Sequence, residues 1–290
     1  MKPTKLLFLL LCCYFFFSCT KETKAEYLQN VTVDSKGLSC DGITMSNYAG
    51  TLTETTFNYG EKVTFNYDNF KGLTFEDSLA YPMMDIHVML KSGDTVFSRP
   101  ELLPKEGISK EQFTIFSEVT FAKPMLPNNE YLVSIQISDT KSDAYYHWKK
   151  PFKIVNNPEI QTETDGFTYE ILYLYSLTRD IAITNNVIQM NEKIYLILED
   201  LEGYDIDENG NASIIASMNL VDSNDALILE NDNLLPNSVS AKDLKQQLYV
   251  LIEITDENIQ NPVTCNFQLK DAVSGKTLSS TFELTVEDQK

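Results

Sequence analysis

Apolar and polar residues alternate with a period of two in many short stretches of this chain. The alternation is clear in residues 63–67, and it recurs in residues 131–137 and 248–254. A period of two is typical of strands that bury one face. Turn-forming clusters of Gly, Pro, Asn, Asp and Ser separate these stretches, and residues 240–246 could form a helical turn or two. The pattern therefore predicts an all-β chain of short antiparallel strands.

The two halves of the chain resemble each other. Residues 61–75 (EKVTFNYDNFKGLTF) align without a gap with residues 192–206 (EKIYLILEDLEGYDI), and the two share a Glu-Lys pair, a glycine and the apolar phase. Three further matches follow in the same order at nearly the same offset: residues 92–104 with 223–236, 133–139 with 265–271, and 152–155 with 282–286. Four ordered matches indicate an internal duplication, so the two halves should share one fold.

Short strands at this spacing predict a sandwich of two packed sheets in each half. We expect two tandem immunoglobulin-like antiparallel β-sandwich domains, because the turn signals divide each half into many short strands. The first domain is predicted at residues 29–156 and the second at residues 166–290. A polar segment that contains Pro158 separates them, and this predicts a linker at residues 157–165.

Residues 167–177 (FTYEILYLYSL) depart from the alternation, because they are apolar on both faces. Two interpretations account for this. The segment is either a central strand or a strand whose outer face packs against the first domain. We favour the second interpretation, which predicts a semi-rigid pair of domains.

The first two dozen residues read as an export signal. Lys2 and Lys5 precede an apolar run at residues 6–17, which ends at Ser18 and Cys19. A run of about a dozen residues is too short to cross a hydrocarbon core of ~30 Å, which requires roughly 20 residues. The pattern predicts a cleaved signal peptide at residues 1–18.

The sequence Phe16-Phe17-Ser18-Cys19 resembles the lipobox of bacterial lipoproteins, although leucine is usual where Phe16 stands. The resemblance implies that Cys19 carries a diacylglycerol and an acyl chain, and that residues 19–28 form a lipidated tether. The tether and the aromatic-rich leader are similar to those of outer-membrane lipoproteins of the Bacteroidetes. The expected location is therefore the cell envelope, anchored to the outer membrane by lipid, on a face that the resemblance leaves open.

The net charge limits the kinds of partner that the protein can bind. The formal net charge of −19 should repel nucleic acids and anionic lipid surfaces. Counterions or partners are therefore expected to be cationic, and no nucleic-acid partner is expected.

The positions of the five cysteines argue against a disulfide. Cys12 and Cys13 lie in the leader, and the resemblance to a lipobox assigns Cys19 to the lipid. The remaining two, Cys40 and Cys265, lie in different predicted domains. We therefore expect no disulfide, a buried Cys265 and a free thiol at Cys40.

The common catalytic motifs are absent from this sequence. It has two histidines, His87 and His147, and it lacks a nucleophile elbow, a zinc-protease motif, a phosphate-binding glycine loop and a Cys-x-x-Cys pair. We therefore expect a protein that is not an enzyme.

One loop resembles the start of a calcium-binding loop. Asp205, Asp207 and Asn209 place oxygens at alternate positions, and Gly210 follows at the sixth. The twelfth position is Ala216, where an EF-hand requires glutamate, so an EF-hand is excluded. Two interpretations remain: an acidic turn without a metal, and a weak Ca²⁺ site.

The segment with the single tryptophan suggests stacking against a sugar ring. Tyr145, His147 and Trp148 are the ligand candidates, since exposed aromatic faces bind glycans in lectin-like modules. Strand alternation places Trp148 in the core and Tyr145 and His147 outside. Pro151 could introduce a bulge that changes this phase.

Three functions are consistent with this reading. The leading hypothesis is a non-catalytic, membrane-anchored lipoprotein that acts as a binding or scaffolding module for an envelope protein or glycan. The first alternative is a glycan-binding accessory of a polysaccharide-uptake system, similar to the starch-binding surface lipoproteins. The second alternative is a fimbrillin-like pilus subunit, which requires strand donation between subunits.

Overall fold

The computed structural model describes residues 30–110 and 114–288. The signal peptide, the tether and Cys19 lie outside the described residues. The regular secondary structure of the described residues is nearly all β and forms two β-sandwich units, which confirms the predicted fold class. No helix in the described ranges is long and apolar enough to cross a membrane.

The first unit packs a large sheet against a small one. Its strands are β1 (Thr32–Lys36), β2 (Gly42–Asn47), β3 (Gly50–Leu52), β4 (Thr56–Asn58), β5 (Lys62–Asp68), β6 (Phe75–Glu76), β7 (Leu79–Ala80), β8 (Pro82–Leu90), β9 (Thr95–Arg99), β10 (Ile108–Ser109), β11 (Phe116–Thr120), β12 (Glu130–Asp139) and β13 (Tyr145–Val155). The large sheet has the order β1-β13-β12-β8-β9, and β4 pairs with β13 in parallel. The small sheet has the order β11-β5-β2-β3, and β10, β7 and β6 form a short accessory sheet.

The second unit repeats this plan. Its strands are β14 (Gln161–Asp165), β15 (Ile171–Ser176), β16 (Ile181–Ile183), β17 (Val187–Gln189), β18 (Ile194–Glu199), β19 (Asn211–Ala212), β20 (Ile214–Val221), β21 (Leu227–Asn231), β22 (Val239–Ser240), β23 (Leu248–Ile252), β24 (Val263–Asp271) and β25 (Thr277–Glu287). The large sheet has the order β14-β25-β24-β20-β21 with β17 parallel to β25, and the small sheet has the order β23-β18-β15-β16. The strand order matches that of the first unit position by position, as the duplication predicts.

A short helix, α1 (Ala241–Gln246), precedes β23 where the sequence suggested a helical turn. Ser240 caps it, since its hydroxyl accepts a hydrogen bond from the backbone N–H of Asp243 at 3.3 Å. Leu244 lies in the core of the second unit. The helix covers one end of the sandwich.

In each unit a glycine allows two backbone segments to pack closely, Gly72 against Gly37 and Gly203 against Gly166. Gly72 and Gly203 have φ values of +102° and +101°. A Cβ on Gly72 would lie 2.1 Å from the carbonyl oxygen of Gly37, and one on Gly203 would lie 2.0 Å from that of Gly166. Both the backbone angle and the space therefore require glycine, and this explains why the aligned glycines recur.

A buried aspartate organises the same loop in both units. Asp139 accepts hydrogen bonds from the backbone N–H of Thr74 at 3.0 Å and the hydroxyl of Ser142 at 2.8 Å. Asp271 likewise accepts from the backbone N–H of Asp205 at 2.8 Å and the hydroxyl of Ser274 at 2.6 Å. Burial raises the pKa of each carboxyl, but the hydrogen bonds outweigh burial and hold both pKa values below the ordinary value of 3.8.

The boundary between the units differs from the predicted one. Residues 161–165 were expected in the linker, but β14 pairs with β25 throughout and belongs to the second unit. The connection is therefore residues 156–160, and Ile160 is buried in the second core. The alternation of residues 161–165 is weak because β14 is an edge strand with exposed side chains, and a strand there is therefore hard to predict from the pattern.

The segment that is apolar on both faces forms β15. Its inner residues Leu172 and Leu174 lie in the second core, whereas Ile171 is buried in the core of the first unit. The strand is also an interior strand of its sheet, between β16 and β18. The predicted contact between its outer face and the first unit is present.

The two described cysteines are unpaired. Cys265 is fully buried, as its phase in β24 predicts. Cys40 is half-buried, and its thiol donates to the carbonyl of Gly42 at 2.8 Å. Burial is the main reason that the pKa of the Cys40 thiol is raised.

Candidate functional site: a tyrosine-lined cleft between the two units

The loop suggested as a calcium site forms internal contacts. Asp205 faces Lys276, with 3.5 Å between Oδ1 and Nζ. Oδ1 of Asp207 accepts the backbone N–H groups of Asn209 and Asn211 at 2.8 and 2.9 Å, which is the geometry of an acidic turn. Within residues 30–110 and 114–288, no group of three or more His, Cys, Asp or Glu side chains is arranged to hold a metal ion. Ca²⁺ binding by Asp205, Asp207 and Asn209 remains a prediction.

The tryptophan segment lies on β13 with the predicted phase. Trp148 is only 4% exposed, and its ring lies 5.8 Å from that of Phe65 in the core. It is therefore corrected from a ligand candidate to a core residue, because Pro151 does not change the phase before it. Tyr145 and His147 lie on the outer face of the large sheet and are half-buried.

The outward residues of β13 are held by their neighbours. The Tyr145 hydroxyl donates to Asp34 at 3.1 Å, and Nε2 of His147 lies 2.7 Å from Oγ of Ser134. Burial and then the charge of Lys149 lower the pKa of His147 below its ordinary value. These contacts engage the outward side chains of β13 with neighbouring strands of the first unit.

A concave site that both units line lies at their junction. Polar contacts hold this junction: Lys123 of the first unit pairs with Glu199 at 2.7 Å and with Asp200 at 3.1 Å. Burial lowers the pKa of Lys123, but these two ion pairs outweigh burial and raise it above its ordinary value. The ring of Tyr59 packs edge-on against that of Tyr173, with centroids 5.2 Å apart. The units therefore meet through an ion-paired and aromatic contact.

Beside this contact lies a cleft of about 540 Å³, which we call the junction cleft. Both units contribute to its walls: Asn47, Tyr48, Tyr59, Gly60, Lys62, Thr64, Glu118, Thr120, Ala122, Tyr173, Tyr175, Asp180, Ile181 and Ala182. Its volume falls within the ~300–1,000 Å³ usual for small-ligand sites, and such sites occur preferentially between domains.

Tyrosines form one wall of the junction cleft. Tyr173 and Tyr175 project from alternate positions of β15, on the face turned away from the second core. The hydroxyl of Tyr173 donates to Glu199 at 3.4 Å, and that of Tyr175 donates to Asp180. These hydrogen bonds fix the ring positions. They also contribute to a raised pKa for both phenols, with burial as the main cause at Tyr173 and the bond to Asp180 as the main cause at Tyr175.

A third tyrosine reaches the cleft from the first unit. Tyr48 lies in the turn between β2 and β3 and is 47% exposed. Its hydroxyl donates to Oδ1 of Asn185 in the second unit at 2.8 Å. This bond spans the junction, so the ring is held at the mouth of the cleft by the second unit.

The opposite wall is polar. It is the outer face of β5 and β11, where Lys62 and Glu118 form an ion pair at 2.8 Å. The hydroxyl of Thr64 donates to Oε1 of Glu118 at 3.4 Å. The junction cleft therefore places aromatic rings on one side and charged and hydroxyl groups on the other.

The aromatic wall continues outside the cleft. Tyr195 on β18 lies directly across from Tyr175, and its ring is 4.9 Å from that of Tyr249 on β23. Tyr249 and Leu251 are 56% and 46% exposed. We call the outward side of these strands the tyrosine face. It consists of the exposed Tyr249 and Leu251, the part-buried Tyr173, Tyr175 and Tyr195, and the buried Ile197.

The sequence pattern predicted only part of this site. Residues 167–177 are apolar on both faces, and the favoured interpretation was that the outer face packs against the first domain, with a central strand as the alternative. The missed signal was the residue type, because Tyr173, Tyr175, Tyr195 and Tyr249 all occupy outward positions of strands. Tyrosine in such positions combines an apolar ring with a hydroxyl that remains in water, which is typical of binding surfaces.

Comparisons with known proteins do not identify a family. No protein-family model and no curated protein sequence matches this chain. Among solved structures, the C-terminal domain of Wzt is similar with a TM-score of 0.33 and 12% identity, covering 45% of this chain and 81% of that one. pT26-6p has a TM-score of 0.24 and 10% identity, covering 90% of this chain and 64% of that one. A calcium-binding mutant of Bacteroides uniformis β-glucuronidase 2 has a TM-score of 0.26 and 8% identity, covering 88% of this chain and 32% of that one.

Proposed function

We propose that this chain is a non-catalytic binding protein of the cell envelope, anchored by lipid on Cys19, and that its ligand occupies the junction cleft. The observation that carries the proposal is the cleft itself, whose tyrosine wall and polar wall are contributed by different units. Binding sites for small ligands are usually clefts of this kind, with apolar and aromatic walls and a few polar groups, and they occur preferentially between domains.

The side chains of the cleft suit binding better than catalysis. Lys62 and Glu118 neutralise each other, and Asp180 is engaged by the hydroxyl of Tyr175. A catalytic acid or base must lie within hydrogen-bond reach of the proton that it transfers. The charged groups of this cleft instead hold one another in place.

The lipid anchor is supported by the leader sequence, where residues 16–19 resemble a lipobox. One diacylglycerol and one acyl chain would provide stable anchoring, since a single chain binds membranes only reversibly. Cys19→Ala should abolish labelling with radioactive palmitate and leave unprocessed precursor. Normal processing of this variant would contradict the anchor.

The binding role can be tested by thermal shift with the mature chain. A panel of neutral oligosaccharides, anionic oligosaccharides, peptides and small metabolites should contain a class that raises the melting temperature of the wild type. The same class should have little effect on Tyr175→Ala. Tyr145→Ala is the matched control, because Tyr145 is a half-buried tyrosine of the large sheet that does not line the cleft. A shift that survives in Tyr175→Ala would place the ligand elsewhere.

A further inference from the structure

We propose that the ligand of the junction cleft is a neutral glycan chain, which stacks its sugar rings on Tyr173 and Tyr175 and continues over Tyr195 and Tyr249. This inference rests on the proposed function, because it names the ligand class of the same cleft.

The two walls of the cleft match the two sides of a sugar. A pyranose ring presents C–H groups on its faces and hydroxyl groups around its rim. Tyr173 and Tyr175 offer aromatic faces to the C–H groups. Across the cleft, Glu118 and Thr120 offer acceptors for the hydroxyl groups, as well as a hydroxyl that can donate or accept. A purely apolar ligand would leave this polar wall without partners.

The tyrosines are already held in position before a ligand arrives. The hydroxyls of Tyr48, Tyr173 and Tyr175 each donate to an amide or carboxylate oxygen. Ordering side chains on binding costs about 0.5–1.5 kcal/mol for each flexible group, so rings that are fixed in advance bind at a lower entropic cost. A fixed aromatic surface suits a ligand whose own rings are rigid.

Charge argues for a neutral glycan. The whole chain has a formal net charge of −19, and the cleft contains Glu118 and Asp180 against Lys62. A uronic acid or sulfated sugar would be repelled by the field of the protein. The same charge also disfavours a second copy of this chain as the occupant of the tyrosine face.

The continuity of the tyrosine face indicates a chain rather than a single sugar. β15, β18 and β23 are neighbours in one sheet, and adjacent strands lie about 4.8 Å apart. Tyr175, Tyr195 and Tyr249 therefore extend the aromatic surface by about two strand spacings beyond the cleft wall. A single ring in the cleft would leave Tyr249, which is 56% exposed, without a role in binding.

The test is calorimetry with neutral oligosaccharides of increasing length. They are built from the sugar that raises the melting temperature most in the thermal-shift panel. Affinity should rise with length until the ligand reaches Tyr249. Tyr175→Ala should weaken binding of all lengths by about tenfold or more, since it removes a stacked ring. Tyr249→Ala should weaken only the longer ligands, and Tyr145→Ala should bind like the wild type.

The variants separate folding from binding. Tyr249 is exposed, so Tyr249→Ala should fold even if Tyr175→Ala does not. Tyr175→Phe keeps the ring and should keep most of the affinity. Equal affinity of Tyr249→Ala and wild type for the longest ligand would overturn the path over the tyrosine face.

The outcomes also distinguish this inference from the proposed function. If peptides or anionic sugars bind in a manner that depends on Tyr175 and neutral glycans do not, the cleft is a binding site but the glycan inference is wrong. If no class in the panel shows binding that depends on Tyr175, both the binding site and the glycan inference are wrong.

Discussion

The small sheets of the two units have the same strand order, but their outer faces differ in polarity. The outer face of the first unit is mostly polar, and that of the second unit is mostly aromatic and apolar. Their inner faces agree: Phe65 and Leu196 are aligned, and each lies across from an apolar residue, Met45 or Leu174. The outer faces differ in polarity at five of six positions that can be compared. The pairs in the first and second unit are Thr44 and Tyr173, Ser46 and Tyr175, Thr64 and Tyr195, Asn66 and Ile197, Glu118 and Leu251, and, as the aromatic exception, Phe116 and Tyr249. Duplication retained the core, and the outer faces diverged.

This difference shows where the two copies acquired separate roles. A polar outer face needs no cover and remains soluble, whereas an apolar outer face must be buried or used. The second unit packs Ile171 and Tyr173 of its apolar face against the first unit, whereas Tyr249 and Leu251 of the same face remain exposed. Because the polar face of the first unit forms the opposite wall, the junction cleft is amphipathic. Neither copy could form such a cleft alone.

The largest expected effect on stability comes from replacing one of two aligned buried glutamates, Glu61 and Glu192. They differ in the partners of their carboxylates. Glu192 accepts from Nε of Arg179 at 2.6 Å and from the backbone N–H of Gln189 at 2.7 Å, whereas Glu61 accepts from the neutral side chain of Asn47 at 2.8 Å. Glu192→Ala leaves a partly buried cation unpaired and should cost about 3–5 kcal/mol.

Glu61→Ala is the matched variant in the first unit. It leaves neutral donors unsatisfied and should cost about 1–3 kcal/mol. Urea denaturation of both variants measures the two free energies of unfolding. Equal losses of unfolding free energy in the two variants would show that the ion pair between Glu192 and Arg179 adds no stability to the second unit.

The repeated aspartates should make both units sensitive to acid in the same way. Asp139 and Asp271 have folded-state pKa values below 3.8, so they stabilise the fold above pH 3.8 and lose this contribution as the pH falls through the folded-state pKa. Asp271→Asn should cost about 2 kcal/mol at neutral pH, because it weakens hydrogen bonds to a charged acceptor.

The acid effect is measured by denaturation between neutral pH and about pH 3. Asp139→Asn and Asp271→Asn should each show a flatter fall of stability at low pH than the wild type. A variant whose stability falls as steeply as that of the wild type would mean that the substituted carboxyl does not contribute to acid sensitivity.

The ion pairs at the junction hold the two outer faces at their relative angle. Lys123→Ala removes the pairs with Glu199 and Asp200, and since Lys123 is partly exposed, the loss should be about 1 kcal/mol. Small-angle scattering should show a broader range of interdomain angles for this variant. Lys105→Ala is the control, because Lys105 pairs only within the first unit. An unchanged scattering profile for Lys123→Ala would show that these ion pairs do not fix the angle between the units. The Tyr59–Tyr173 contact would then be the main contact that holds it.

The smallest expected effect on stability comes from making one position of the tyrosine face resemble the first unit. Leu251→Glu places the residue of the equivalent position, Glu118, on β23. Leu251 is 46% exposed, so stability should change by only about 0.5 kcal/mol. Binding of long ligands should weaken because a charge now interrupts the apolar surface. A loss of several kcal/mol would instead show that Leu251 is part of the core.

Much of the architecture could be predicted, because alternation is a local property. The phase of β13 placed Trp148 in the core, and the phase of β24 did the same for Cys265, without knowledge of any neighbouring strand. The start of the second unit could not be predicted, since β14 is an edge strand whose side chains are exposed and carry no alternation.

The sequence by itself determined which side chains point to the same side of each strand and the existence of two copies. The tertiary structure decided which strands are neighbours and which outer face meets which. Tyr173 and Tyr249 are far apart in the sequence, and they share one surface only because β18 pairs with both of their strands. The strand period is set by local backbone geometry, whereas strand order and domain packing depend on contacts between distant residues. The tyrosine face could therefore be seen only in the folded chain.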